Sequence, residues 1–160
     1  MQVSRWIRIS LLAVFPLAMF AAVGCDDDND VTGSGGALAS LNLDVPEMVN
    51  SDTPFDVDLT ATAIGVENVR NGVVTITVPA PLQVTNVTAE AGTSATFAGN
   101  TVTWTLNTLD SNTSSELVIH TIGTLPQGSP SQNLTIQASM VAEGIPNGDL
   151  VVSETFTLTR

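Results

Sequence analysis

Phe55-Asp56-Val57-Asp58-Leu59-Thr60-Ala61-Thr62-Ala63 alternates an apolar residue with an acid or a threonine at every step. Successive side chains of an extended strand point to opposite faces, so this period of two places Phe55, Val57, Leu59, Ala61 and Ala63 on a buried face and the polar set in water. The same pattern recurs outward in both directions. Val74, Ile76 and Val78 alternate with Thr75 and Thr77, and Val102, Trp104 and Leu106 with Thr103 and Thr105. Leu134, Ile136, Ala138 and Met140 alternate with Thr135, Gln137 and Ser139, and Val152, Phe156 and Leu158 lie among Thr155, Thr157 and Thr159. Threonine is β-branched and suits a pleated, half-exposed surface. No stretch after residue 36 carries a long 3.6-residue apolar period.

Further strands are expected at Leu38–Val45, Leu82–Ala89 and Leu117–Ile122. In the second, Leu82 and Val84 share one parity and Val87 has the other, which a bulge near Thr85-Asn86 would reconcile. Turns are expected at Asn50-Ser51-Asp52, Asn71-Gly72, Ala91-Gly92, Gly99-Asn100, Asp110-Ser111-Asn112, Gln127-Gly128 and Pro146-Asn147-Gly148. About eight short strands so punctuated predict an all-β fold, a two-sheet antiparallel Ig-like β-sandwich over residues 37–160. A unit of this size buries enough surface to fold without a disulfide or a metal.

The 160 residues carry 16 acids against 4 arginines and no lysine, a net charge of −12. The acidity arises from missing bases rather than from surplus acids. Such a surface offers nothing to a nucleic acid, so no nucleic-acid partner is expected. One cysteine excludes a disulfide framework, and one histidine beside it leaves no zinc set of the Cys/His type.

The first 24 residues read as an address. Arg5 and Arg8 precede an apolar stretch from Ile9 to Val23, interrupted by Pro16. The stretch is short of the roughly 20 residues a spanning helix needs. A positive start, a short apolar core and a small-residue exit describe a cleaved signal peptide. The exit, Ala22-Val23-Gly24-Cys25, resembles the lipobox of bacterial lipoproteins, with Ala22 where leucine is usual. The resemblance implies cleavage before Cys25, lipidation of Cys25, and a location in the cell envelope, lipid-anchored to a membrane. The outer membrane, on its periplasmic or its surface-exposed face, is the expected place. Without residues 1–24 the chain keeps all sixteen acids against Arg70 and Arg160, a net charge of −14.

Residues 25–36 follow as a tether, acidic at Asp26-Asp27-Asp28-Asn29-Asp30 and then rich in glycine and serine. Asp26, Asp28 and Asp30 have the spacing of an EF-hand start, but Val31 stands where the loop needs glycine and Ala37 where it needs glutamate. Acids directly after the lipidated cysteine resemble surface-export signals of some Bacteroidetes lipoproteins. In enterobacteria, aspartate in that place resembles a signal for inner-membrane retention.

Val74-Thr75-Ile76-Thr77-Val78-Pro79-Ala80-Pro81-Leu82 and Thr101-Val102-Thr103-Trp104-Thr105-Leu106-Asn107-Thr108-Leu109 together resemble the conserved-repeat Ig-like domain of bacterial and archaeal surface proteins. The resemblance spans Phe55 to Leu125. It departs at Ala63-Ile64-Gly65, where the family usually has asparagine before the glycine. Cohesin-type Ig-like modules are a second, weaker resemblance. Both imply a surface module without catalytic residues.

Candidate chemistry is sparse. His120 shares the outward parity of Val118 and Ile122, and no serine–aspartate arrangement is legible beside it. Asp56 and Asp58 share one face of a strand, about 6.5–7 Å apart, as two acids on a wet face do. Calcium between them and a loop acid is one alternative. Carbohydrate binding would need exposed aromatics, and of Phe55, Phe97, Trp104 and Phe156 only Phe97 is expected in a loop. The expected function is therefore a lipid-anchored envelope protein, not an enzyme, whose single module is structural, adhesive or protein-binding. The alternative is a calcium- or carbohydrate-binding module of a surface assembly. No cofactor, catalytic residue, metal ligand or small-molecule substrate is expected. The expected partners are the membrane, through the lipid, and an envelope or extracellular protein.

Overall fold

A computed structural model describes Val31–Thr32 and residues 37–160, apart from the side chains of residues 146–149. The segment expected to be a signal peptide, Cys25, the acids at 26–30 and the glycines of the expected tether lie outside the described residues.

Eleven strands are present among these residues: β1 (Val31–Thr32), β2 (Ala39–Asp44), β3 (Met48–Asn50), β4 (Pro54–Ala63), β5 (Val69–Thr77), β6 (Leu82–Ala89), β7 (Thr93–Ala98), β8 (Thr101–Leu109), β9 (Ser114–Gly123), β10 (Ser131–Ala142) and β11 (Ile145–Thr159). They form two sheets, one ordered β1-β2-β4-β9-β6 and the other β3-β11-β10-β5-β8-β7. The expected sandwich is the fold observed. All eight strands with legible alternation are present, and β1, β3 and β7 are additional. Val31 and Thr32, within the segment read as tether, pair with Ser40 and Ala39.

All pairings are antiparallel but one. β3 runs parallel to β11, with Met48 opposite Thr157 and Asn50 opposite Thr159. The chain leaves β2 at Val45-Pro46, crosses to the other sheet for three residues, and returns through Ser51–Thr53 to begin β4. Proline cannot supply a ladder hydrogen bond, which suits the break at residue 46.

The alternation read from sequence is the inside–outside pattern of the fold. Leu41, Leu59, Leu82, Leu117 and Ile119 of one sheet are fully buried, and so are Ile76, Trp104, Ile136, Met140, Leu150 and Leu158 of the other. Phe55 and Phe156 close one end of this core, with ring centres 5.6 Å apart. The parity switch in β6 is a register shift between Val84 and Asn86 against β9, which leaves Thr85 outside the ladder.

Two expected turns are corrected. Asn71-Gly72 lies inside β5, where Asn71 takes a φ of 52° and Gly72 is opposite Leu106. Glycine is needed there for space: a Cβ would stand 3.0 Å from Met140 Cε and 3.2 Å from Leu106 Cβ. Pro146-Asn147-Gly148 belongs to β11, and the chain reverses earlier, at Glu143-Gly144, where Gly144 has a φ of 80° and Ala142 pairs with Ile145.

Candidate functional site

The outer face of the five-stranded sheet carries the polar chemistry. Register places Asp56 of β4 opposite His120 of β9, and His120 opposite Asn86 of β6. Asp56 Oδ1 lies 2.7 Å from His120 Nδ1, and Thr88 Oγ1 lies 3.2 Å from His120 Nε2. The hydroxyl of the displaced Thr85 donates to the His120 carbonyl at 3.0 Å. The next rung holds Asp44, Asp58, Val118 and Thr88. Beyond it Glu116 stands opposite Thr60, and its backbone N–H donates to Glu90 Oε2 at 3.1 Å. Asp44, Asp56, Asp58, Glu90 and Glu116 thus share this face and its edge, and no arginine lies among them.

The carboxylate–imidazole–hydroxyl chain was not legible in sequence. His120 is 64 residues from Asp56 and 32 from Thr88, and only the pairing of three strands brings them together. It has the connectivity of a nucleophile relay but lacks the surroundings. The side chains of His120 and Asp56 are 35% and 56% exposed on a flat sheet. The hollow on this face, about 270 Å³, is lined by Asp58–Thr60 and Glu116–Val118, one rung away from Asp56 and His120. Water therefore competes for the Thr88 hydroxyl, and no enclosed donors face a developing oxyanion. Among the described residues no three His, Cys, Asp or Glu side chains converge on a point where an ion could sit.

The six-stranded sheet presents the opposite surface. Its outer rungs read Ala98–Thr101–Thr77–Gln137–Ser153, Thr96–Thr103–Thr75–Ser139–Val151 and Ser94–Thr105–Val73–Val141. None of these side chains is charged. Phe97, expected in a loop, is in β7 and 41% exposed. It is a lone ring rather than an aromatic shelf, since Trp104 and Phe156 are buried and Phe55 packs on the core. At one end of the sandwich an open cleft of about 550 Å³ is lined by Ala37, Glu67, Asn68, Arg70, Glu143 and Gly144.

No protein-family model matches the chain, and no curated protein matches it in sequence. Solved structures do match its fold. A CARDB domain from Pyrococcus furiosus, in complex with di-metal ions, superposes with a TM-score of 0.56 at 11% identity, covering 85% of this chain and 99% of that one. A cohesin module of a family 33 glycoside hydrolase from Clostridium perfringens gives 0.56 at 11% identity over 78% and 98%. A chain of a type I cohesin–dockerin complex from Clostridium thermocellum gives 0.57 at 8% identity over 80% and 96%. The cohesin-type resemblance is thus met in the fold. The conserved-repeat resemblance, carried by Val74–Leu82 and by Thr101–Leu109 (β8), finds no support in these comparisons.

Proposed function

We propose that this is a cell-envelope lipoprotein, anchored through Cys25, whose sandwich is a non-catalytic protein-binding module held off the membrane by residues 26–36. The observation that carries the binding reading is the layout of its surface. Most of its polar groups lie on two broad sheet faces, one acidic and one whose central rungs carry no charge, and the hollows its polar groups line are open rather than enclosed. Small ligands need concave sites that bury most of their surface. Partners of protein size use flat faces and strand edges. The fold shared with cohesin modules, one of them from a cohesin–dockerin complex, supports the same class of role.

The anchor rests on sequence: a short apolar run, the sole cysteine after Ala22-Val23-Gly24, and a spacer beyond it. Acyl chains contribute about 0.8 kcal/mol per buried CH₂, enough for several chains to hold a protein stably. Detergent phase partitioning tests it. The native protein enters the detergent phase, and Cys25→Ser moves it to the aqueous phase with its β-rich circular dichroism unchanged. Native protein already in the aqueous phase, with its thiol open to alkylation, would refute the anchor. Mutant protein that stays in detergent with residues 1–24 attached would show an uncleaved anchor instead.

A further inference from the structure

Strand edges are where this molecule is least protected. A strand at the border of a sheet exposes unpaired N–H and C=O groups, and proteins blunt such edges with lysines, prolines, bulges or very short strands. The chain has no lysine at all. Three of its four outermost strands are short or bulged. β1 has two residues, β3 has three and is flanked by Glu47 and Asp52, and β6 is bulged at Thr85. Beyond the short β1 and β3 the borders pass to Leu41–Asp44 of β2 and Leu150–Phe156 of β11, which carry the acids Asp44 and Glu154. The fourth, β7, reads Thr93-Ser94-Ala95-Thr96-Phe97-Ala98, with no charge, no proline and an unbroken register against β8.

The free groups of β7 can be assigned. The two-residue loop Gly99-Asn100 joins Ala98 to its partner Thr101, so Ala98 forms a hydrogen-bonded pair with β8, as do Thr96 and Ser94 by alternation. Ala95 and Phe97 therefore point their N–H and C=O away from β8. The Thr93 N–H already donates to the Glu90 carbonyl. On the core side of the strand, Ala95 is small and half-buried, while Phe97 is large and exposed. Val87 and Ala89 of β6 are partly buried hydrophobics at the neighbouring border of the other sheet.

We propose that β7 is a homotypic docking edge, at which two copies of this chain pair antiparallel about a two-fold axis at Thr96 and join their six-stranded sheets into one. In this register Ala95 of each copy exchanges both hydrogen bonds with Phe97 of the other, using the N–H and C=O groups of both residues. The Phe97 ring lies beside the small Ala95 of the second copy, so the strand is complementary to itself. Charge selects the same place. Two processed copies at −14 repel, and the outer rungs beside β7 are the broad face that carries no acid. The inference rests on the protein-binding reading and specifies the partner as a second copy.

A contact of six residues per copy lies at the small end of protein interfaces. Attachment of both copies to one membrane would raise their effective concentration.

Sedimentation of the full chain in density-matched detergent, up to about 0.5 mM, tests the proposal. A monomer–dimer equilibrium is expected, and it tightens as salt rises because like charges are screened. Ala95→Pro removes a donor that serves no bond within the chain, and it weakens the dimer at least tenfold while the melting temperature holds. Thr96→Lys and Thr96→Glu each weaken self-association several-fold, because the two-fold sets identical charges opposite one another. Mixing the two restores dimer at wild-type concentrations. A protein that stays monomeric across the range overturns the proposal. So does a dimer indifferent to Ala95→Pro, or one in which the mixed charge variants associate no better than each alone. None of these outcomes bears on the anchor, which phase partitioning reads separately, and a strict monomer leaves binding to a different protein intact.

Discussion

Trp104 has no exposed surface, yet its indole N–H is not stranded. It donates to Thr93 Oγ1 at 3.0 Å, and that hydroxyl donates in turn to the Glu90 carbonyl at 2.8 Å. The ring lies between Ala95 of β7 and Val74 of β5 on a buried rung that continues through Met140 and Leu150. Replacing it with alanine removes the largest fully buried side chain among the described residues. Trp104→Ala is expected to cost roughly 3–5 kcal/mol, a large share of the 5–15 kcal/mol typical of a domain. Urea denaturation followed by circular dichroism measures it, and an unchanged midpoint would contradict the buried register. Phe97, two residues beyond Ala95 on the same side of β7, is exposed because β7 is the border of its sheet. Parity alone could not distinguish these two aromatics. Their difference comes from position within the sheet.

Gly123 ends β9 where the strand meets Leu82 of β6. A Cβ there would stand 2.6 Å from Leu82 Cδ2 and 2.9 Å from Leu158 Cδ2, so buried leucine side chains from both sheets close directly over it. Gly123→Ala should therefore destabilise by about 1–3 kcal/mol through overpacking. A melting temperature equal to that of the wild type would show that this end of the sandwich is loosely packed. At this scale the sequence was informative wherever threonine alternated with a bulky apolar residue, as in β4, β5, β8 and β10. It was uninformative where the contrast failed. Met48-Val49-Asn50 is too short to show a period, and β7 alternates small and polar residues on both faces, with only Phe97 to mark a side. The carboxylate, imidazole and hydroxyl around His120 were each visible as residues. Their meeting depends on the pairing of β4, β9 and β6, which no local pattern encodes.

Over the described residues the two sheet faces differ in charge. Asp44, Asp56, Asp58 and Glu116 lie on one wet face, where water screens them, and among the described residues the one close contact between an acid and a basic side chain is the exposed Asp56–His120 contact. Exposed pairs of this kind contribute at most about 1 kcal/mol. The fold is held by the continuous apolar core between the sheets. Addition of a chelator should consequently leave the melting temperature unchanged, and added calcium should not raise it. A calcium-dependent rise of more than about 4 °C, equivalent to roughly 1 kcal/mol in a domain near this size, would turn the acidic face into an ion site and favour the alternative function.

β11 is the last strand in chain order, yet it stands between β10 and β3, inside its sheet. Leu150, Val152, Phe156 and Leu158, all from this strand, supply one wall of the core. While the protein is being made, the strands before it have neither that wall nor, for β3, a partner. The sandwich therefore cannot assemble piece by piece as it leaves the ribosome. It must wait for residue 159 and then close over long sequence separations, a slow topology to form. Until residue 159 is made, the buried faces of the earlier strands lack the wall that Leu150, Val152, Phe156 and Leu158 supply.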